Sequence, residues 1–150
     1  MVKKTTKRKK NTKTKPKSRK QSYTYALGRR KTASARVRLF AGKGKTLVNG
    51  QPIEEYFSGE VAKALYQKPF VVTNTLGKYW ATIKVVGSGK SGQLGAIVHG
   101  FARALDKENR ELYHPALKAH KFLTRDSRAR ERRKPGLGGR ARGKKQSPKR

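Results

Sequence analysis

Alternating apolar and polar residues open the readable part of the chain. Tyr23, Tyr25 and Leu27 alternate with Thr24 and Ala26, and Ala33, Ala35, Val37 and Leu39 alternate with Ser34, Arg36 and Arg38. A period of two marks strands with one buried face. The polar face of the second strand carries arginine, so the sheet turns cations outward. Gly42-Lys43-Gly44-Lys45 reads as a turn, Thr46-Leu47-Val48 as the returning strand, and Asn49-Gly50 as its close. Val61, Ala64 and Leu65 take helical spacing, Pro69 stops that helix, and Phe70-Val71-Val72 reads as a further extended segment. Tyr79 to Val86 is the clearest later strand, with Tyr79, Ala81, Ile83 and Val85 on one face. Leu94, Ile97, Val98, Phe101 and Leu105 then form one apolar stripe, which predicts the strongest helix of the chain, with Arg103 and Lys107 off the stripe. Pro115 fits the first position of a last short helix containing Ala116, Leu117 and Ala119. This order predicts an α+β fold, a two-layer domain with its helices on one face of a sheet.

The same pattern divides the chain. Residues 21–124 hold 45 of the 50 apolar residues and all twelve aromatics. Residues 1–20 hold 11 Lys+Arg and no acid, whereas 125–150 hold 12 Lys+Arg against Asp126 and Glu131. Neither end can bury enough apolar surface to offset its ordering entropy. The expected organisation is a disordered basic extension over 1–22, a globular domain over 23–124, and an extended basic tail over 125–150.

Charge narrows the function. The formal net charge is +32, with 40 Lys+Arg and 8 Asp+Glu in 150 residues. Self-repulsion of that size calls for a polyanionic partner. There is no cysteine, so disulfides and zinc knuckles are out. No apolar run approaches the ~20 residues of a membrane span, and the N-terminal residues lack a signal-peptide pattern. Nucleic acid is the expected partner, with no membrane and no homo-oligomer.

Three motifs invite other chemistry. Gly87-Ser88-Gly89-Lys90-Ser91-Gly92 lies between a strand and a helix, as a phosphate-binding loop would. The first glycine of such a loop would stand at position 84, which is Lys84, so the loop is too short to wrap a triphosphate. An RNA phosphate at that helix start and a purely structural turn both stay open. His99 reads as a packed or RNA-facing imidazole, and His114 and His120 flank the last helix without a cysteine or carboxylate at ligand spacing. No nucleophile has a visible base partner. Hence no catalytic residue, metal or cofactor is assigned. The tails are the third motif. The first is Lys/Thr-rich, while the second favours arginine and carries Gly136, Gly138, Gly139 and Gly143. Arginine forks suit phosphate and base stacking, and glycine suits close backbone approach. That favours folded RNA over a DNA-compacting role, the rival reading.

Four motifs carry a resemblance. Tyr25 to Val37 (YALGRRKTASARV), Val48-Asn49-Gly50-Gln51-Pro52 with Tyr56-Phe57, Gly92 to Leu105 (GQLGAIVHGFARAL), and Leu123 to Arg128 with Glu131 to Gly136 resemble, in order, segments of the small-subunit ribosomal protein S-nine family in its bacterial or organellar form. The resemblance implies a two-layer α/β sandwich of the kind seen in the second domain of ribosomal protein S-five, with an uncommon left-handed crossover. It implies a place in the head of the small subunit, on a cytoplasmic or organellar ribosome, beside other head proteins. The implied ligands are the 3′ major domain of the small-subunit rRNA and, at Lys149 and Arg150, P-site transfer RNA. Candidate rRNA contacts are Arg29, Arg30, Lys31, Arg36, Arg38, Lys90 and Arg103 in the domain. Along the tail they are Arg125, Arg128, Arg130, Arg132, Arg133, Lys134, Arg140, Arg142, Lys144 and Lys145. The chain departs from the family pattern at Ser88, where a glycine is usual, and at Ser147-Pro148, where a phenylalanine is lost. Residues 1–22 have no family counterpart.

Overall fold

The structure, a computed structural model, describes residues 22–132. The period-two run after Thr32 forms the central strand β2 (Ala33–Ala41), flanked by β1 (Thr24–Arg30) and, on its other side, by β5 (Tyr79–Val86). Two short strands, β3 (Leu47–Val48) and β4 (Gln51–Pro52), complete a sheet of order β1-β2-β5-β3-β4. All pairings are antiparallel except β3 with β5. Helices α1 (Ile53–Tyr56) and α2 (Glu60–Val72) lie between β4 and β5, and α3 (Lys90–Glu108) and α4 (Arg110–Ala119) follow β5. The α+β class read from the pattern is what the chain adopts, with α3 packed on β1 and β2.

Thr46-Leu47-Val48 does not return along β2. β5 occupies that place, and β3 joins the far side of β5 in parallel. Side chains extend this two-residue pairing. Asn49 Nδ2 donates to the Val85 carbonyl at 3.0 Å, its Oδ1 accepts from Val85 N–H at 2.9 Å, and Thr46 Oγ1 accepts from Ala81 N–H at 3.3 Å. The Asn49 amide thus acts as one more peptide unit in the ladder.

The inward face of β2 is Ala33, Ala35, Val37 and Leu39, and that of β5 is Ala81, Ile83 and Val85, as the alternation predicts. On β1 the face is reversed. Ala26 and Gly28 point inward, while Tyr23 and Tyr25 stay about half exposed. Close packing of α3 explains the reversal. A Cβ on Gly28 would lie 1.9 Å from the Ala96 carbonyl oxygen, and one on Gly100 would lie 2.6 Å from Val37 Cγ2. Only small residues fit under the helix there.

Helix α2 departs from its expected stripe. Val61 is 77% exposed, whereas Tyr66 and Pro69 are buried. Pro69 does not stop the helix: α2 continues to Val72 with one i→i−4 bond missing, and Pro69 is fully buried. Phe70-Val71-Val72 is therefore helical, and Phe70 packs edge-on to Phe101 with centroids 4.9 Å apart. Pro115 lies inside α4 rather than at its start. The cap is Asn109, whose side chain accepts from Leu112 N–H at 3.2 Å.

Gly28→Ala should destabilise the fold by about 3 kcal/mol or more, since both obstructing groups are backbone. Gly89→Ala is the comparison, because nothing lies within 4 Å of a Cβ there. Urea unfolding of the two variants checks this.

Candidate nucleic-acid interface

Helices cover one side of the sheet, so the other side displays the outward residues of β1, β2 and β5 side by side. Register sets Arg36 between Leu27 and Lys84, and Arg38 between Tyr25 and Thr82. Arg36, Arg38 and Lys84 are exposed, and with Tyr25, Asn49, Thr82 and Val86 they line a shallow groove of about 820 Å³. No carboxylate lines it. Arg36 directly opposite Lys84 is a like-charge cross-strand pair, an arrangement that costs stability unless an anion lies over it. One end of this face is aromatic. Phe40 stacks on Trp80 at 4.4 Å, Tyr23 lies 5.7 Å from Phe40, and Arg38 stands 5.3 Å over the Tyr23 ring.

The free edge of β1 is the second cationic feature. A strand edge leaves N–H and C=O groups unpaired. Here α3 satisfies three of them with side chains spaced four apart. His99 Nδ1 accepts from Arg29 N–H at 3.2 Å, Arg103 Nη1 donates to the Leu27 carbonyl at 2.7 Å, and Lys107 Nζ donates to the Tyr25 carbonyl at 3.1 Å. Thr24 Oγ1 bonds Glu108 just beyond. The geometry works because four helical residues rise about 6 Å and two strand residues about 6.7 Å. His99, left open as packed or RNA-facing, is a half-buried edge partner. Burial holds its imidazole pKa below the usual value, with help from Arg103 and Arg125, against the opposing backbone groups of Arg29 and Leu123. Lys84, Lys107, Tyr25 and Asn49 were not among the sequence candidates. The spacing of His99, Arg103 and Lys107 on the polar side of α3 is the signal that could have found the edge row.

The remaining candidates separate. Arg30 pairs with Asp126 at 3.2 Å and packs over Gly95, and Asp126 also binds Arg128 at 2.8 Å. The Arg128 and Arg30 guanidiniums hold the Asp126 carboxyl well below the usual range. Lys31 takes a left-handed turn conformation at φ 50°. Lys90 points away from its own loop: its Nζ donates to the Tyr56 carbonyl at 3.1 Å and sits 3.3 Å from the Tyr56 ring centroid. Ser88 adopts φ 54°, a left-handed conformation that costs a residue with a Cβ about 1–2 kcal/mol, which is why glycine suits that place. His114, which the sequence left without a carboxylate, binds Asp106 at 2.7 Å across the α3–α4 packing. Arg125, Arg130 and Arg132 lie in the irregular segment after α4. Arg133, Lys134, Arg140, Arg142, Lys144, Lys145, Lys149 and Arg150 lie outside the described residues. Among the described residues no His, Cys, Asp and Glu grouping could hold a metal, and no helix is long and apolar enough to cross a membrane.

A sheet covered by helices on one side and bare on the other, with Arg36, Arg38 and Lys84 on the bare side and no carboxylate in its groove, suits a small nucleic-acid-binding structural protein. Comparison with known proteins makes this specific. A model of the family described as ribosomal protein S9/S16 matches residues 28–150, and the chain belongs to that family. It is similar to the small ribosomal subunit protein uS9 of Dehalococcoides mccartyi strain CBDB1, 49% identical over 118 residues, which are 79% of this chain and 89% of that protein. The protein of the same name from strain BAV1 is 48% identical over the same length. Family membership makes the chain a non-enzymatic structural constituent of the small ribosomal subunit, of a family that binds rRNA.

The neutral His99 gives a pH dependence. Its folded pKa lies below the ordinary 6.5. Below that pH the unfolded chain therefore binds a proton that the folded chain resists, so stability is full above pH 6.5 and declines beneath it. Urea midpoints at pH 7.5 and 5.5 should fall more for the wild type than for His99→Gln, and an equal fall would remove His99 as the cause.

Proposed function

We propose that the bare sheet face is the rRNA platform of this protein, and the observation that carries it is the uncompensated Arg36–Lys84 pair opposite one another across β2 and β5. Two cations side by side, with no acid in the groove, fit a phosphate backbone that neutralises both. The four-motif resemblance supports the finer reading. The rRNA is the 3′ major domain, other head proteins are neighbours, and the β3-to-β5 connection is the left-handed crossover of the S-five-like sandwich. The domain spans 23–124, between basic arms at 1–22 and 125–150.

Arg36→Gln with Lys84→Gln has a paired expected outcome. The free protein gains a few tenths of a kcal/mol in unfolding stability as the like-charge contact is relieved. Its binding to structured rRNA loses about 1.4–1.8 from the log–log salt slope, the share of two phosphates. Filter binding against salt measures the second quantity, and an unchanged slope would place the rRNA elsewhere. Duplex DNA bound as tightly as structured RNA would favour the DNA-compacting rival.

The tail extends this reading. The 25 residues from Asp126 to Arg150 can span up to about 80 Å when extended, far beyond the domain. Lys149 and Arg150 can then contact P-site transfer RNA phosphates, which positions without selecting sequence. Deleting Lys149 and Arg150 should leave folding and subunit assembly intact and speed transfer RNA dissociation from the P site of purified subunits. An unchanged off-rate would make these residues a further rRNA anchor.

A further inference from the structure

The bare sheet face does not exhaust the cationic surface. At the free edge of β1, Arg29, His99, Arg103 and Arg125, with Leu27 and Leu123, line a separate cleft of about 420 Å³. We propose that this cleft holds a single RNA backbone phosphate, bound by Arg29, Arg103 and Arg125 and positioned by His99. The proposal rests on the RNA-binding reading above and names a second point of contact.

Three observations support it. First, no carboxylate lines the cleft, and the nearest acid in sequence, Asp126, is engaged by Arg30 and Arg128. Among the described residues no ion pair joins Arg29, Arg103 or Arg125 to an acid. Second, the site is built rather than splayed. The bond from Arg103 Nη1 to the Leu27 carbonyl fixes one corner of its guanidinium and leaves four of its five N–H donors for a ligand. The bond between Arg29 N–H and His99 Nδ1 ties α3 to β1 at the same place. The imidazole is held neutral there, so the positive charge belongs to the three guanidiniums. Third, the cleft adjoins a basic run of the chain. Arg125, one of its walls, begins the run Arg125, Arg128, Arg130 and Arg132. A lone protein carboxylate and a phosphodiester each spread one negative charge over two oxygens, but only the phosphodiester continues as a polyanion that further arginines of that run can meet.

The test uses full-length protein and two probes. Inorganic phosphate is titrated while the ring resonances of His99 are followed by NMR. A saturable shift is expected in the wild type and its loss in Arg103→Gln/Arg125→Gln, with circular dichroism confirming that both proteins are folded. No shift in the wild type would overturn the cleft, as would an equal shift in the double variant. Filter binding to a 3′ major domain rRNA fragment is then measured against salt. The double variant should bind about tenfold more weakly, with a slope lower by about 0.7–0.9, one phosphate's share. A slope unchanged from wild type would overturn the RNA assignment. Stronger displacement of inorganic phosphate by a polyglutamate peptide than by an RNA oligomer would also overturn it, in favour of an acidic protein segment. The Arg36→Gln/Lys84→Gln protein separates the two readings: it should lose slope and keep the His99 shift.

Discussion

Helix α3 lies against β1 with no room for a side chain between Gly28 and the backbone at Ala96 and Gly100. Much else in the domain follows from that contact. It brings the apolar side of α3, including Ile97, Phe101 and Leu105, down onto Val37 and its neighbours on β2. It forces the larger residues of β1, Tyr25 and Leu27, to the opposite face or the edge. It also brings His99, Arg103 and Lys107 within reach of the unpaired backbone groups of β1. A helix held two or three ångströms further away could fill the core with larger side chains, but it could not close that edge.

Closing an edge with cationic side chains has a consequence for function. An unprotected edge strand invites pairing with another chain. Here two of the residues that block it, Arg103 and Lys107, are charged, so edge protection and the proposed RNA contact share one row of α3. The sheet face works by a different logic. Its cations Arg36 and Lys84 are set by strand register alone, and no carboxylate lines the groove they share. Both surfaces place charge on rigid elements, where it need not be ordered on binding.

The fold and the site were legible to different depths. The strands β2 and β5, the long helix and the outward Arg36 and Arg38 follow from local periodicity, because alternation is a property of neighbouring residues. The inward face of β1 does not, since Tyr23-Thr24-Tyr25-Ala26-Leu27-Gly28 alternates either way and only the closeness of α3 selects the small set. The end of α2 misleads for a similar reason. A proline reads as a stop, yet in a last turn buried against the core it costs one hydrogen bond and keeps its packing.

By itself, the sequence determined the charge, its division among three segments, the apolar content of 21–124 and the α+β class, together with the motifs that align with the ribosomal family. These are sums and short-range patterns, fixed once the residues are named. Tertiary structure decided which strand lies beside which, that β5 separates β3 from β2, and that Asn49 completes a ladder with Val85. It also decided that Lys90 braces Tyr56 and that three arginines far apart in sequence share one cleft with His99. The Asn49–Val85, Lys90–Tyr56 and Arg29–His99 contacts join residues 36, 34 and 70 positions apart. They depend on loop closure and on shape fit between surfaces, which no local pattern encodes.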